Sequence, residues 1–478
     1  MASLQLRSLT RPARRPGLRF SRVPGYAPNP MLLNLLYLGA IAVLSPWLAW
    51  RALATRRYRR DLPAKLLGRM RLDNPNRRPV AWFHAVSVGE VNLLGTLVPA
   101  FRKRHPEWLI VVTSTTDTGL AEARKRFADH AVFSWPLDFT WSVAAALNAI
   151  RPTIVVLSES EMWPNFLAAA RRRGVPVAVV NARMSPRSFR RLKRVAGLAR
   201  RLLFDRVSLF ASQEDEYTGR FRELGVAPGH CLTTGSIKYD GAAGERDTPR
   251  TRELGQMLNL GGQLVLLAGS THAPEEALIL GAFAKLHARH PRLRLILVPR
   301  HPDRFEEVAK LVERSGLSFV RRSRIGSPLA AAPAVILLDT VGELGAAWGL
   351  ADLGFTGGSL DGHRGGQSMI EPAGYGVPCV FGPHVWNFKD AARRLVEVGA
   401  AFQIPDAAAL EEHLERLIVD EPLRLNMGEA ARALVRRQQG ATQRTLDALD
   451  DLLAAAPPAN SETRRFAPSI RPRGLSHG

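Results

Sequence analysis

A chain of 478 residues is about three times the usual single-domain size, so two globular domains with extensions are expected. Its formal charge of +23, carried mainly by arginine, attracts nucleic acid, anionic membrane surface or phosphorylated substrates, and a hydrophobic content of 46% is enough for real cores. Two widely spaced cysteines, Cys231 and Cys379, argue against a disulfide framework or a structural zinc site and suit a reducing compartment.

Residues 1–30 read as a basic extension to which the sequence assigns no role. No charged residue lies between Arg22 and Arg51, and "MLLNLLYLGAIAVLSPWLAW" (31–50) is long enough to span about 30 Å of hydrocarbon as a helix. A retained single anchor over 31–53 is expected, with Trp47 and Trp50 as interfacial aromatics and no cleavable leader. A buried or interfacial hairpin is the alternative, because Pro46 interrupts the run. Arginines flank both ends, so charge does not set the orientation. Arg56, Arg57, Arg59 and Arg60 are expected against lipid headgroups.

Beyond the anchor, strands and helices alternate twice over. "PVAWFHAV", "LIVVTST", "TIVVLSE", "PVAVVNAR" and "VSLFASQ" carry the first half, and "LVLLAGS", "LRLILVPR", "AVILLDT", "LGFTGGS" and "PCVFGP" the second. This is the rhythm of parallel sheets covered on both faces. An α/β protein of two doubly wound, Rossmann-like domains is expected, residues 54–240 and 241–455, facing each other across a cleft with ligands at the carboxyl ends of the strands. The divide falls in the polar, glycine-rich stretch 239–249. The Pro/Arg/Ser-rich tail 456–478 reads as disordered.

Polar clusters follow the apolar runs, as that topology requires: Glu90, then Ser114 to Asp117, then Glu159 and Glu161, then Arg183. In the second half "AGSTH" supplies Ser270 and Thr271, "PRHPDRF" supplies Arg300 and His301, and "GGSLDGHRGGQSMIEPAGYG" (357–376) is a glycine-rich loop leading to Glu371. Glycines let backbone amides converge on an anion. Neither a GxxxxGK[ST] P-loop nor a GxGxxG fingerprint opens the first unit. His84, His272 and His301 lack a metal-ligand spacing and read as hydrogen-bonding groups, and no metal or cofactor is expected.

"HAVSVGE", "ESEMWPN", "NARMSPRS", "TGSIKYD", "AGSTHAPEE", "LVPRHPDRF", "DTVGELG" and "GGSL…EPA…GPH…NF" occur in order from about residue 30 to about 450. Together they resemble the 3-deoxy-D-manno-octulosonic acid (Kdo) transferases of lipopolysaccharide assembly. The resemblance implies a GT-B fold with an N-terminal acceptor domain and a C-terminal CMP-sugar domain. It also implies metal-independent, inverting transfer of Kdo from CMP-Kdo to the lipid A precursor at the inner membrane, with the catalytic body facing the cytoplasm. Glu90 matches the family's catalytic base, with Gly89 expected to allow a tight turn that aims it. Glu161 matches a second acidic position, though Glu159 is open as its alternative. Glu371 matches the acid that grips ribose hydroxyls, and Arg300 with His301 suits the CMP phosphate. Ser270, Thr271 and the amides around Gly357, Gly358 and Gly366 are expected as neutral donors, with Lys238 and Arg183 against the Kdo carboxylate or the phosphate.

Where family members commonly read GGHN, this chain has Gln367 and Ser368. Arg364 or His363 is expected to restore the lost positive charge. Another GT-B enzyme with a different nucleotide sugar is the alternative function. A nucleic-acid-binding role is disfavoured, because aromatics are only 7% of the chain and several sit inside strands.

Overall fold

The computed structural model describes residues 30–55, 61–242 and 244–455. The basic extension, the Arg56 to Arg60 cluster and the tail 456–478 lie outside them. The chain forms two compact units: residues up to Ile237 together with those from Gly440 onward, and Lys238–Gln439.

In the first unit the strands are β1 Val80–Ala85, β2 Leu109–Ser114, β3 Ala131–Ser134, β4 Ile154–Ser158, β5 Val177–Ala182, β6 Leu209–Ser212 and β7 Cys231–Thr233. They form one parallel sheet in the order β3-β2-β1-β4-β5-β6-β7. The second unit has β8 Leu264–Thr271, β9 Leu293–Pro299, β10 Phe319–Arg321, β11 Val335–Leu337, β12 Leu353–Thr356, β13 Cys379–Phe381 and β14 Ala401–Gln403, in the order β10-β11-β9-β8-β12-β13-β14. Central strands such as β1 and β4 are buried along their whole length, as helices on both faces demand, which is why they read as unbroken apolar runs. Both units are therefore doubly wound. Strand order reverses between β1 and β4 in one sheet and between β8 and β12 in the other, so each has a crevice at the carboxyl ends of that pair.

Two expectations change. Pro30–Thr55 is one helix, but among the described residues no helix is long and apolar enough to cross a membrane, so the spanning anchor expected over 31–53 is not supported. Polar side chains tie its first turns to the protein. The Asn34 amide donates to Thr140 Oγ1 at 2.8 Å and its Oδ1 accepts from the Thr140 N–H at 3.2 Å, while the Tyr37 hydroxyl donates to Asp138 at 3.0 Å. Between Met31 and Leu44 much of its surface is apolar and open, with Met31 70% and Val43 80% exposed.

The helix Ala441–Ala455, expected with the second domain, packs on the first. Its Ala441, Leu446, Leu449 and Leu452 enter the core beside Leu94 and Phe101, and Arg104 bridges Asp447 at 2.8 Å and Asp450 at 2.7 Å.

Candidate active site

The β1–β4 crevice gathers three carboxylates. β1 ends at Ala85, and the helix Val88–Arg104 starts on Ser87, whose side chain accepts from the Glu90 N–H. Glu90 reaches back, accepting from the Val86 N–H at 3.0 Å and the Ser87 hydroxyl at 3.1 Å. This reciprocal cap fixes the carboxylate by local sequence alone. Burial raises its pKa to about 7, and the nearby charges of Glu159 and Glu161 push the same way against those two hydrogen bonds.

Gly89 does not make the turn that the sequence reading gave it. It lies inside the first helical turn, and a Cβ there would meet nothing closer than Ser87 Oγ at 3.9 Å. Ser87, not Gly89, aims Glu90.

Glu159 follows β4 in the left-handed region, at φ 58°, and is 7% exposed. Its Oε2 lies 2.7 Å from Arg183 Nε, and the Ser160 hydroxyl donates to the Arg183 carbonyl. Arg183, expected against a substrate anion, is thus ion-paired within the protein. Glu161 makes no hydrogen bond within the described residues, and burial followed by the Glu159 charge raises its pKa. His84 lies beneath. It is fully buried, stacked on Trp135 at 3.8 Å and 3.1 Å from Thr113 Oγ1, and burial lowers its pKa to about 3. A neutral core histidine results.

In the second unit the β8–β12 crevice gathers most of the other candidates. β8 bulges at Ser270 (φ 55°), one residue more than β9 can pair. Thr271 is buried, with its hydroxyl donating to the Val298 carbonyl at 3.5 Å. His272 is the centre of the group. Gln367 Nε2 is 3.3 Å from its Nε2, the His301 ring is 5.2 Å away, and its pKa falls to about 4 through burial and then the charges of Arg364, His301, Arg304 and Arg300. Arg300 and His301 are exposed, whereas Arg304 is held by Glu276 at 2.6 Å.

The glycine loop is built around a residue to which the sequence reading gave no role. Glu275, fully buried, accepts from the N–H groups of Gly358 (2.7 Å), His272 (3.0 Å), Ser359 (2.9 Å) and Leu360 (3.1 Å). The Gly357, Gly366 and Gln367 N–H groups donate to the Gly269, Gly358 and Gly357 carbonyls. These amides hold the loop's own shape, which corrects the expectation that they converge on a ligand anion. Gly357 has no alternative, since a Cβ there would stand 2.4 Å from the Ser270 carbonyl oxygen. Gly358 and Gly366 take positive φ, Arg364 pairs with Asp361, and Asn387 donates to the Arg364 carbonyl at 2.7 Å. Glu275 stands in the first turn of the helix Glu275–Arg289, where an acid reads simply as complementing the dipole; the doubled "EE" was its only mark.

Glu371, in the short helix Ile370–Gly374, stands beside Gly345 and Tyr375. Burial raises its pKa, and among the described residues its carboxylate makes no hydrogen bond. Ser368 is half-buried between it and Gln367, and Lys238 is half-buried in the turn Ile237–Tyr239, where the chain enters the second unit. Among the described residues no group of three or more His, Cys, Asp or Glu is arranged to hold a metal ion.

Comparison with known proteins adds the following. The family model for 3-deoxy-D-manno-octulosonic-acid transferase (kdotransferase) matches residues 62–241. The chain is similar to a 3-deoxy-D-manno-octulosonic acid transferase of Bordetella pertussis, 37% identical over 390 residues that cover 79% of this chain and 88% of the relative. A transferase of the same description from Haemophilus influenzae is 33% identical over 426 residues, 88% of this chain and 96% of that one. Among solved structures, Anabaena Alr3699/HepE in complex with UDP aligns with a TM-score of 0.50 at 15% identity, over 79% of this chain and all of that one, a likeness of fold alone.

Proposed function

The chain belongs to the 3-deoxy-D-manno-octulosonic acid transferase family and is a glycosyltransferase, and from that premise we propose that it moves Kdo from CMP-Kdo to the lipid A precursor with inversion, without a metal. The observation that carries this reading is Glu90, a capped, largely buried carboxylate whose pKa near 7 suits a general base at neutral pH. An acceptor hydroxyl gives its proton to Glu90 as its oxygen bonds to the anomeric carbon of Kdo. The bond from that carbon to the phosphate oxygen breaks, and CMP leaves with the electron pair. Glu161, without an internal partner, is the acid placed to orient the acceptor, while Glu159 is taken up by Arg183.

On the donor side, a buried carboxylate lacking internal donors favours Glu371 as the acceptor of two ribose hydroxyls. Arg300 and Arg364 give the phosphate positive charge, and Ser270, His301, Gln367 and Ser368 give it hydrogen bonds. Lys238, half-buried in the turn Ile237–Tyr239, is the cation offered to the Kdo carboxylate in this reading. We place the enzyme at the inner membrane with its body on the cytoplasmic side. The open aliphatic face of the helix Pro30–Thr55 lies in the lipid interface there.

Incubating the purified chain with CMP-Kdo and a tetra-acylated disaccharide acceptor, then weighing the product, tests the reading. A mass gain of one or more Kdo with CMP release is expected. Hydrolysis or transfer of a different nucleotide sugar in its place would assign the chain to another activity on the same fold.

A further inference from the structure

From Met162 to Phe204 the chain contains no acidic residue. Within this stretch the helices Pro186–Lys193 and Ala196–Leu202 follow β5, and Pro186–Lys193 buries none of its residues. Arg187, Arg190, Arg191, Arg194 and Arg201 are all exposed, and among the described residues none pairs with a carboxylate. The same surface exposes Val195 (50%) and Leu198 (56%), aliphatic groups that a water-facing basic hairpin does not need. Lys193 and Arg200 do find partners, Glu223 and Asp205, so the unpaired arginines do not reflect a local shortage of acids alone.

Position in the fold adds a second observation. The hairpin leaves the carboxyl end of β5, next to β4, whose own carboxyl end carries Glu159. The open apolar helix Pro30–Thr55 is tied to Asp138, Thr140 and Asn165, which follow β3 and β4 at the same edge of the sheet. One edge of the first sheet therefore carries the carboxylates, an aliphatic helix face and a block of unpaired arginines flanking two exposed aliphatics.

We propose that the hairpin 185–202 is a lipid-contact element that seats this edge of the sheet on an anionic bilayer. Arginine with aliphatic side chains on one short helical surface is the chemistry of a charged headgroup layer over acyl chains. Nucleic acid would call for exposed aromatics among the arginines, and Phe189, the aromatic of the hairpin 185–202, is half-buried. The proposal takes the lipid acceptor from the function proposed above, but its test does not depend on catalysis.

The test is partition of the full chain onto vesicles of phosphatidylcholine, with and without 30% phosphatidylglycerol, in about 0.1 M salt. R190E/R191E/R194E should bind the anionic vesicles at least tenfold more weakly than wild type and the neutral vesicles equally well. R190K/R191K/R194K should retain most of the binding, and V195S/L198S should lose binding to both vesicle types. Turnover of detergent-dispersed acceptor and the melting temperature should be unchanged in all three variants, as the residues are exposed. Equal partition of wild type and the triple glutamate variant would overturn the proposal. So would tighter retention on a DNA oligonucleotide than on anionic vesicles, which would return the hairpin to nucleic acid. A chain inactive with CMP-Kdo that still showed this vesicle pattern would overturn the donor reading and leave the lipid contact standing.

Discussion

Glu90 shows how much one side chain can be asked to do. As base it must be ionised, and burial holds its pKa near 7, so kcat/KM should fall about tenfold per pH unit below neutrality, an acid limb that a pH-rate profile reads directly. Glu90→Gln should lower turnover by about 10² to 10⁴ while CMP affinity holds, and a variant keeping half of wild-type turnover would move the base elsewhere. Stability should move the opposite way. A carboxyl whose folded pKa lies above its ordinary 4.5 costs the fold nothing while both states are protonated, and the cost grows from pH 4.5 to pH 7 as the unfolded chain ionises first. Glu90→Gln should therefore be more stable than wild type at pH 8, by on the order of 2 kcal/mol, and no more stable at pH 4, as urea melts at the two pH values would show. Glu90 was legible in the sequence as the acid that follows the first apolar run and closes "HAVSVGE", whereas the cap by Ser87 that aims it was not. Glu275 was not legible, because three of its four amide partners lie more than eighty residues away and only the β8–β12 pairing brings them near.

Elements differed in the same way. The strands inside both sheets announced themselves as apolar runs, whereas β3, β7, β10 and β14, which are only partly buried or three residues long, did not stand out in the sequence. All four are the edge strands of their sheets, each paired with one neighbour. The glycine loop is the element with most at stake. Glu275→Ala would leave four buried N–H groups without an acceptor, and a stability loss of at least about 3 kcal/mol with a matching loss of CMP-Kdo affinity is expected from urea melts and calorimetry. Arg364→Ala, which removes a charge facing His272 but no core contact, should weaken CMP-Kdo binding tenfold or more with the melt unchanged, and Gln367→His should be tolerated. Unchanged donor affinity in Arg364→Ala, measured by calorimetry, would place the phosphate away from this loop.

For the whole molecule, the route of the chain matters more than the number of strands. It leaves the first unit at Ile237 and returns at Gly440, so the first unit closes only when the helix Ala441–Ala455 covers Leu94 and Phe101 and engages Arg104 and His105. No candidate site residue lies beyond Glu371. Ending the chain at Gln439 should nevertheless lower the melting temperature by several degrees or more and remove most of the transfer activity, since it opens an apolar face and frees two charged contacts. The alternation of strands and helices predicted two domains, but nothing in the composition of 441–455 distinguishes a helix that stays in the second unit from one that crosses back. Its seven buried residues are ordinary alanine, threonine and leucine.

That returning helix also sets a timetable for synthesis. On a ribosome adding roughly 5–20 residues per second, the stretch between Ile237 and Gly440 takes on the order of 10–40 s to emerge. Throughout that interval the newborn first unit carries an uncovered hydrophobic face that its own sequence cannot yet close. Slow elongation in this stretch would lengthen the exposure, and a holdase bound to Leu94 and Phe101 would shield the nascent chain until its last helix arrived to displace it.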